Sequence, residues 1–288
     1  MLRAQSGSAF FAAERPFTVR GVALCLSLFA VTLIATPSKG ELIPVHHKQG
    51  VSHGFLILRN LQGELLASGD LLQTVKGDQV TSELIFHFRD GSLHDEITVF
   101  SQAQTFRMLT DHLIQKGPSF PHPIDVSIDA PSGQITVSSS EDAKEKTSTK
   151  HIDIPEDAAN GLLLTLLTNI SGSAMAAKVS MVTTSSKPRI VKLAISQQGK
   201  TTFHLGDSKR QATDYDVKTE IGGVAGVVAP IVGKQPPDTH VWIFDGRAPT
   251  FLRFEGVLYE GGPIWRIDLA SINWSQGRAA RTYQGRMR

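Results

Sequence analysis

Residues 81–100 read TSELIFHFRDGSLHDEITVF. Leu84, Phe86 and Phe88 share one parity and His87 the other, so the run before Asp90 alternates as a half-buried strand does. A second run of strand-forming residues follows, and Asp90-Gly91 lies between them. Asp-Gly supplies the positive backbone angles of a two-residue reversal, so the stretch predicts a β-hairpin. In that register His87 faces His94 across the strands, and Glu96 lies diagonally on the same face.

The same device recurs on both sides. IDVSIDAPSGQITVS, residues 124–138, predicts a hairpin turning at Pro131-Ser132-Gly133. RIVKLAIS and TTFHL, separated by QQGK at 197–200, predict a third. Short strands at near-regular spacing, with turn residues between them, indicate a mainly β, antiparallel body. One segment differs. PEDAANGLLLTLLTNI, residues 155–170, starts with proline and two acids and carries Leu162, Leu163, Leu166, Leu167 and Ile170 at helical spacing. It predicts one helix packed on the sheet. SGSAMAAK, at 171–178, then reads as a linker between two groups of strands.

The N-terminus places Arg3, Arg15 and Arg20 before an uncharged run from Gly21 to Ala35, then TPSKGE. That order is the pattern of a secretory signal peptide, and the run is shorter than the roughly 20 residues a membrane-crossing helix needs. Cleavage between Ala35 and Gly40 is the expectation, with an uncleaved membrane anchor as the alternative. The expected product is exported, periplasmic or secreted. Residues 1–40 are thus a leader, 41–275 one β-rich domain, and 276–288 a basic tail. The single cysteine, Cys25, sits inside the apolar run, so the exported domain rests on burial without an internal disulfide.

Charge is nearly balanced, with 29 Lys and Arg against 27 Asp and Glu. Arg278, Arg281, Arg286 and Arg288 crowd the tail without an aromatic platform, which argues against a nucleic-acid partner. The glycine-rich IGGVAGVVAPIVGK, residues 221–234, is no phosphate loop. Gly226 and Gly233 have the wrong separation, and Lys234 is followed by Gln235 in place of a hydroxyl residue. Its glycines also miss the dinucleotide spacing. The stretch reads as an apolar cover over the sheet, and no cofactor is implied.

Catalytic signals are sparse. There is no G-x-S-x-G elbow, and Ser208 in GDSKR reads as part of a turn. His87, His94 and Glu96 offer nitrogen and oxygen ligands of the kind zinc accepts, yet the same residues are also the routine polar face of a hairpin. His46, His47, His53 and His122 have no metal-binding spacing.

The C-terminal HVWIFDGRAPTFLRFEGVLYEGGPIWRIDLA runs strand, Asp-Gly turn, strand, Gly-Gly turn, strand. It resembles the closing strands of bacterial periplasmic proteins related to the lipoprotein-carrier (LolA/LolB-like) superfamily. Trp242, Asp245, Gly246 and Pro249 carry the likeness at the turn, and Ile221 to Gly233 departs from it. The resemblance implies a strongly curved antiparallel sheet or half-barrel around a central helix, with a cavity for acyl chains. Phe251, Phe254, Trp265 and Ile267 would face that cavity.

Two functions of different class follow. The first is a non-enzymatic exported protein that binds an apolar ligand or an envelope partner in the concavity, through Leu162, Leu166, Val227, Ile231, Trp242, Phe254 and Trp265. The second is an envelope enzyme with a metal at His87, His94 and Glu96, and a purely structural protein with a filled core competes with both.

Overall fold

The computed structural model describes residues 40–141, 144–170, 176–185, 187–205, 208–220 and 236–270. The expected leader, the basic tail, Val227 and Ile231 lie outside the described residues. Strands β1 (Ser52–Asn60), β2 (Leu65–Lys76), β3 (Gln79–Phe88), β4 (Leu93–Gln102), β5 (Phe106–Lys116), β6 (Ile124–Asp129), β7 (Gln134–Glu141) and β8 (Lys144–His151) form a first meander. A 3₁₀ turn, Asn160–Leu162, leads into α1, Leu163–Leu167. A second meander follows: β9 (Ala176–Val182), β10 (Ile190–Leu205), β11 (Ser208–Glu220), β12 (Thr239–Phe244), β13 (Thr250–Gly256) and β14 (Trp265–Leu269).

The two meanders join where β1 pairs with β14, giving one antiparallel sheet of 14 strands with β8 and β9 at its edges. The sheet is mainly β, open, and carries one short helix. Its inner face and α1 share one core, which holds Phe86 and Phe100 of the first meander, Val179, Ile195 and Val241 of the second, and Leu162, Leu166 and Leu167. That sharing requires the sheet to curl around the helix, because a flat sheet would hold its two halves apart.

The helix is shorter than its sequence pattern predicts, and the edge of β9 explains why. Ser180 N–H donates to the Asp157 carbonyl, and Ala159 N–H donates to the Ser180 carbonyl. Residues 157–159 therefore spend their backbone groups on capping an edge strand, and only from Asn160 can the chain turn helical. Asn160 continues the seal through its side chain, bonding both the carbonyl and the N–H of Val182. Farther along, Glu41 N–H reaches the Lys178 carbonyl.

From there residues 41–49 cross to the β4–β5 turn, where Val45 N–H donates to Gln104 and Phe106 N–H donates to Ile43. The buried Asn169 holds this crossing with one side chain. Its carbonyl oxygen accepts from the N–H groups of His46 and His47, and its amide donates to Thr165 and Thr168.

Two expectations about turns need correction. Residues 197–200 do not reverse the chain. β10 runs through them with a register shift between Gln197 and Gly199, and stays paired with β11 on both sides. A glycine inside a strand marks a bulge as readily as a turn. The reversal falls between Leu205 and Ser208, so Ser208 opens β11 opposite Leu205.

The second correction concerns the hairpin at residues 81–100, which forms, but with a three-residue loop. Phe88 N–H donates to the Ser92 carbonyl, Gly91 N–H donates to the Phe88 carbonyl, and Gly91 takes φ +86°. Asp90 adds a carboxylate bond to Ser92 N–H at 2.9 Å. A left-handed third residue is what a three-residue loop demands.

Candidate functional site

That one loop residue decides which side chains meet. Counting Arg89 into the loop pairs His87 with Leu93 and Phe86 with His94. Since the side-chain period of a strand is two, His87 and His94 fall on opposite faces. His87 is exposed on the outside, whereas His94 is 3% exposed on the inside. The expected triad of His87, His94 and Glu96 is therefore not assembled. Among the described residues no group of three or more His, Cys, Asp or Glu is placed to hold a metal ion. His53 is instead paired with Asp70 at 2.6 Å, and His122 is exposed.

His94 and Glu96 do share the inner face, and both line a cavity of about 550 Å³ inside the curl of the sheet. That volume falls in the roughly 300–1,000 Å³ range of small-molecule sites. Its walls are mainly apolar, with Leu84, Leu113, Leu164, Phe251, Phe254 and Ile267 drawn from β3, β5, α1, β13 and β14, and Thr183, Thr184 and Ser185 adding hydroxyls beyond β9. The exposed part of the lining carries Lys187, Arg189 and Glu260. A second cavity, of about 390 Å³, lies beyond the other end of α1 between Asn169, Tyr215 and Asp245.

Behind Glu96 the β4–β5 pair buries further polar groups. Thr98 Oγ donates to Asp111 Oδ1 at 2.7 Å across the strand pair. Asp111 is 1% exposed, and burial pushes its carboxyl up to about 6 although bonds from Thr98 and the Gly161 backbone pull it down. Glu96 is driven well above the usual carboxylate range, first by burial and then by the neighbouring Asp111. His94 moves the other way, because burial lowers its pKa to about 4 and keeps the ring neutral at ordinary pH.

Gly161, in the 3₁₀ turn, closes over this group. A Cβ there would run into Thr98, Asp111 and Glu96. The helix can dock on the carboxyl pair only because this position lacks a side chain.

The residues expected to bind a ligand divide on inspection. Phe254 lines the cavity, as do Phe251 and Ile267. Leu162 and Leu166 pack in the main core, and their neighbours Leu163 and Leu164 take the cavity wall. Trp265 belongs to an aromatic cluster with Phe88, Phe120 and Tyr259, at centroid separations of 5.4, 6.0 and 5.9 Å. Trp242 sits between the core residues Val241 and Ile243, so it faces the other side of the sheet, against Phe203, Ala212 and Leu252.

Asp111, Gln115 and Gly161 were not singled out from sequence. Asp111 and Gln115 share parity with the buried Leu113, and that alternation was the available signal. Gly161 gave none, since its role depends on a contact between elements distant in the chain.

No family model matches the chain, and no curated protein matches it either. Among solved structures the chain is similar to a β-barrel-like protein of a domain of unknown function, DUF1849, from Brucella abortus. The identity is 12% and the TM-score 0.40, over 82% of this chain and 100% of that one.

Proposed function

We propose that the protein is an exported, non-catalytic binding protein that carries an acyl chain in the concavity of its sheet. The observation that carries this reading is the cavity of about 550 Å³, walled by leucine and phenylalanine from both meanders and from α1. A core that had only to be stable would close such a space, since unfilled apolar volume weakens packing. An acyl chain fills it, and each methylene withdrawn from water contributes about 0.8 kcal/mol. Lys187 and Arg189, on the exposed lining, suit the polar end of an amphiphile left in water. Export rests on the basic, apolar, then polar order of residues 1–40.

Purification from the native host without detergent, followed by solvent extraction and mass spectrometry, tests the reading. A copurifying acylated molecule near one per chain is expected, together with saturable binding of a fluorescent fatty acid. Empty extracts and no probe binding would overturn it.

A further inference from the structure

We propose that His94 is the polar anchor of this cavity, its Nε2–H donating to the carbonyl oxygen of an ester-linked acyl chain. The inference rests on the reading of the cavity as an acyl-chain site, and it names the kind of acyl compound.

The first step is the tautomer. Gln115 Nε2 lies 2.7 Å from the Leu258 carbonyl oxygen and 3.0 Å from His94 Nδ1. Turning the amide over would set two carbonyl oxygens against each other, so the nitrogen must face Leu258. An amide nitrogen has two hydrogens and accepts nothing, so His94 Nδ1 is the acceptor of the second. A neutral imidazole with Nδ1 accepting carries its hydrogen on Nε2.

The second step is that this hydrogen has nowhere to go. His94 Nε2 is buried and has no hydrogen-bond partner among the described residues. The ring lies tilted against Phe86 and Phe120, with centroids 6.1 and 6.4 Å away, and those side chains offer carbon only. Buried donors are almost always paired and His94 lines the cavity, so the unmet Nε2–H points to a partner that comes with the ligand and is reached by a small turn of the covered ring.

The third step is the charge of that partner. Glu96 follows two positions along on the same face and also lines the cavity, with Asp111 buried behind it. Burial keeps the Glu96 carboxyl protonated and the imidazole neutral, so this part of the wall offers an anion no countercharge for the water it would lose. A fatty-acid carboxylate is thus a poor match for this end of the cavity. An ester carbonyl is neutral, accepts strongly and sits at the head of an apolar chain, which satisfies all three conditions.

The test compares 1-lauroylglycerol with 1-O-dodecylglycerol, which share chain length and headgroup and differ in the carbonyl. Competition against a fluorescent fatty acid should show the ester about tenfold tighter on the wild-type protein, the scale of one buried hydrogen bond. His94→Phe, which keeps an aromatic ring between Phe86 and Phe120, should bring the ratio to about one. In ¹⁵N-histidine spectra of the wild-type protein, the His94 Nε2–H resonance should shift with the ester and stay with the ether, a readout that needs no variant to fold.

Equal affinities in the wild-type protein, a ratio that survives His94→Phe, or a resonance blind to the ester would each overturn the inference while leaving the acyl-chain reading intact. Displacement of the probe by neither compound overturns the inference alone, and failure of the probe itself to bind overturns both.

Discussion

Asp157 and Ser180 are bound twice over: the serine hydroxyl lies 3.0 and 2.9 Å from the two carboxylate oxygens, while their backbones pair along the edge of β9. Lys192 completes the contact from β10, its ammonium 2.6 Å from Ser180 Oγ and 3.2 Å from Asp157. This group ties the crossover from β8 to the first strand of the second meander, and so sets where α1 enters the concavity. Removing the carboxylate leaves a largely covered lysine without its counterion. Asp157→Ala is therefore expected to cost about 2–4 kcal/mol, and Ser180→Ala about 1–2 kcal/mol, both read from urea unfolding. A cost for Asp157→Ala no larger than that of an ordinary surface change would show that the crossover is held by other means.

The pH dependence of stability should reveal two opposed groups. Asp111 is raised to about 6 by burial, and Glu96 is raised by burial and by Asp111. An acid whose folded pKa exceeds its unfolded one keeps its proton longer in the native state. Its contribution is full below the unfolded value and is lost as pH rises through about 6. His94 is lowered to about 4. Its contribution is full above the ordinary imidazole value and is lost as pH falls through about 4. Asp111→Asn should accordingly be more stable than the wild type at pH 8 by about 1–3 kcal/mol, and should expose the acid-side loss due to His94. Unfolding curves at pH 4.5, 6 and 8 check this, and no gain at pH 8 would contradict the buried-carboxyl account.

Most strands were legible because alternation and turn residues are local properties. The Asp90-Gly91 and Pro131-Ser132-Gly133 reversals, and both turns between β12 and β14, formed where their residues indicated. Loop length was the weak point. Asp-Gly serves a two-residue and a three-residue loop alike, and the choice between them turned His87 away from His94. The helix was overextended for a different reason. Residues 155–159 have a helical composition, but β9 needed their backbone, a demand visible only once the strand order is known. The polar wall was half legible. His94 and Glu96 stood out as titratable residues on a hairpin, whereas their partners Gln115 and Gly161 act through pairings that no local pattern records.

Gly161 offers a direct probe of how the helix meets the wall. Any side chain at this position collides with Thr98, Asp111 and Glu96, and two of those neighbours are themselves buried and bonded to each other. Gly161→Ala should therefore cost about 1–3 kcal/mol, the scale of overpacking, despite alanine's better helix propensity. It should also lower acyl-probe affinity by shifting α1, whose Leu163 and Leu164 line the cavity. A neutral or stabilising Gly161→Ala, measured by thermal unfolding, would mean that the turn is free to move.

Adjacent leucines on α1 should separate stability from binding. Leu162 is 1% exposed and belongs to the main core, whereas Leu164 is half-buried and borders the cavity. Truncating a packed leucine loses its transfer energy and leaves a void, so Leu162→Ala should cost about 2–5 kcal/mol and leave the affinity of the folded fraction for a fluorescent fatty acid within a factor of about two. Leu164→Ala removes less contact, because one side of that leucine already faces open space, and should cost about 1–2 kcal/mol. The decisive variant enlarges the same residue. Leu164→Trp would place an indole in the cavity, where the room to accept it keeps the stability change within about 1 kcal/mol, while probe affinity should fall at least tenfold. Retained affinity in a folded Leu164→Trp protein would place the acyl chain elsewhere, with the second cavity beside Asn169 and Tyr215 the next site to fill and measure.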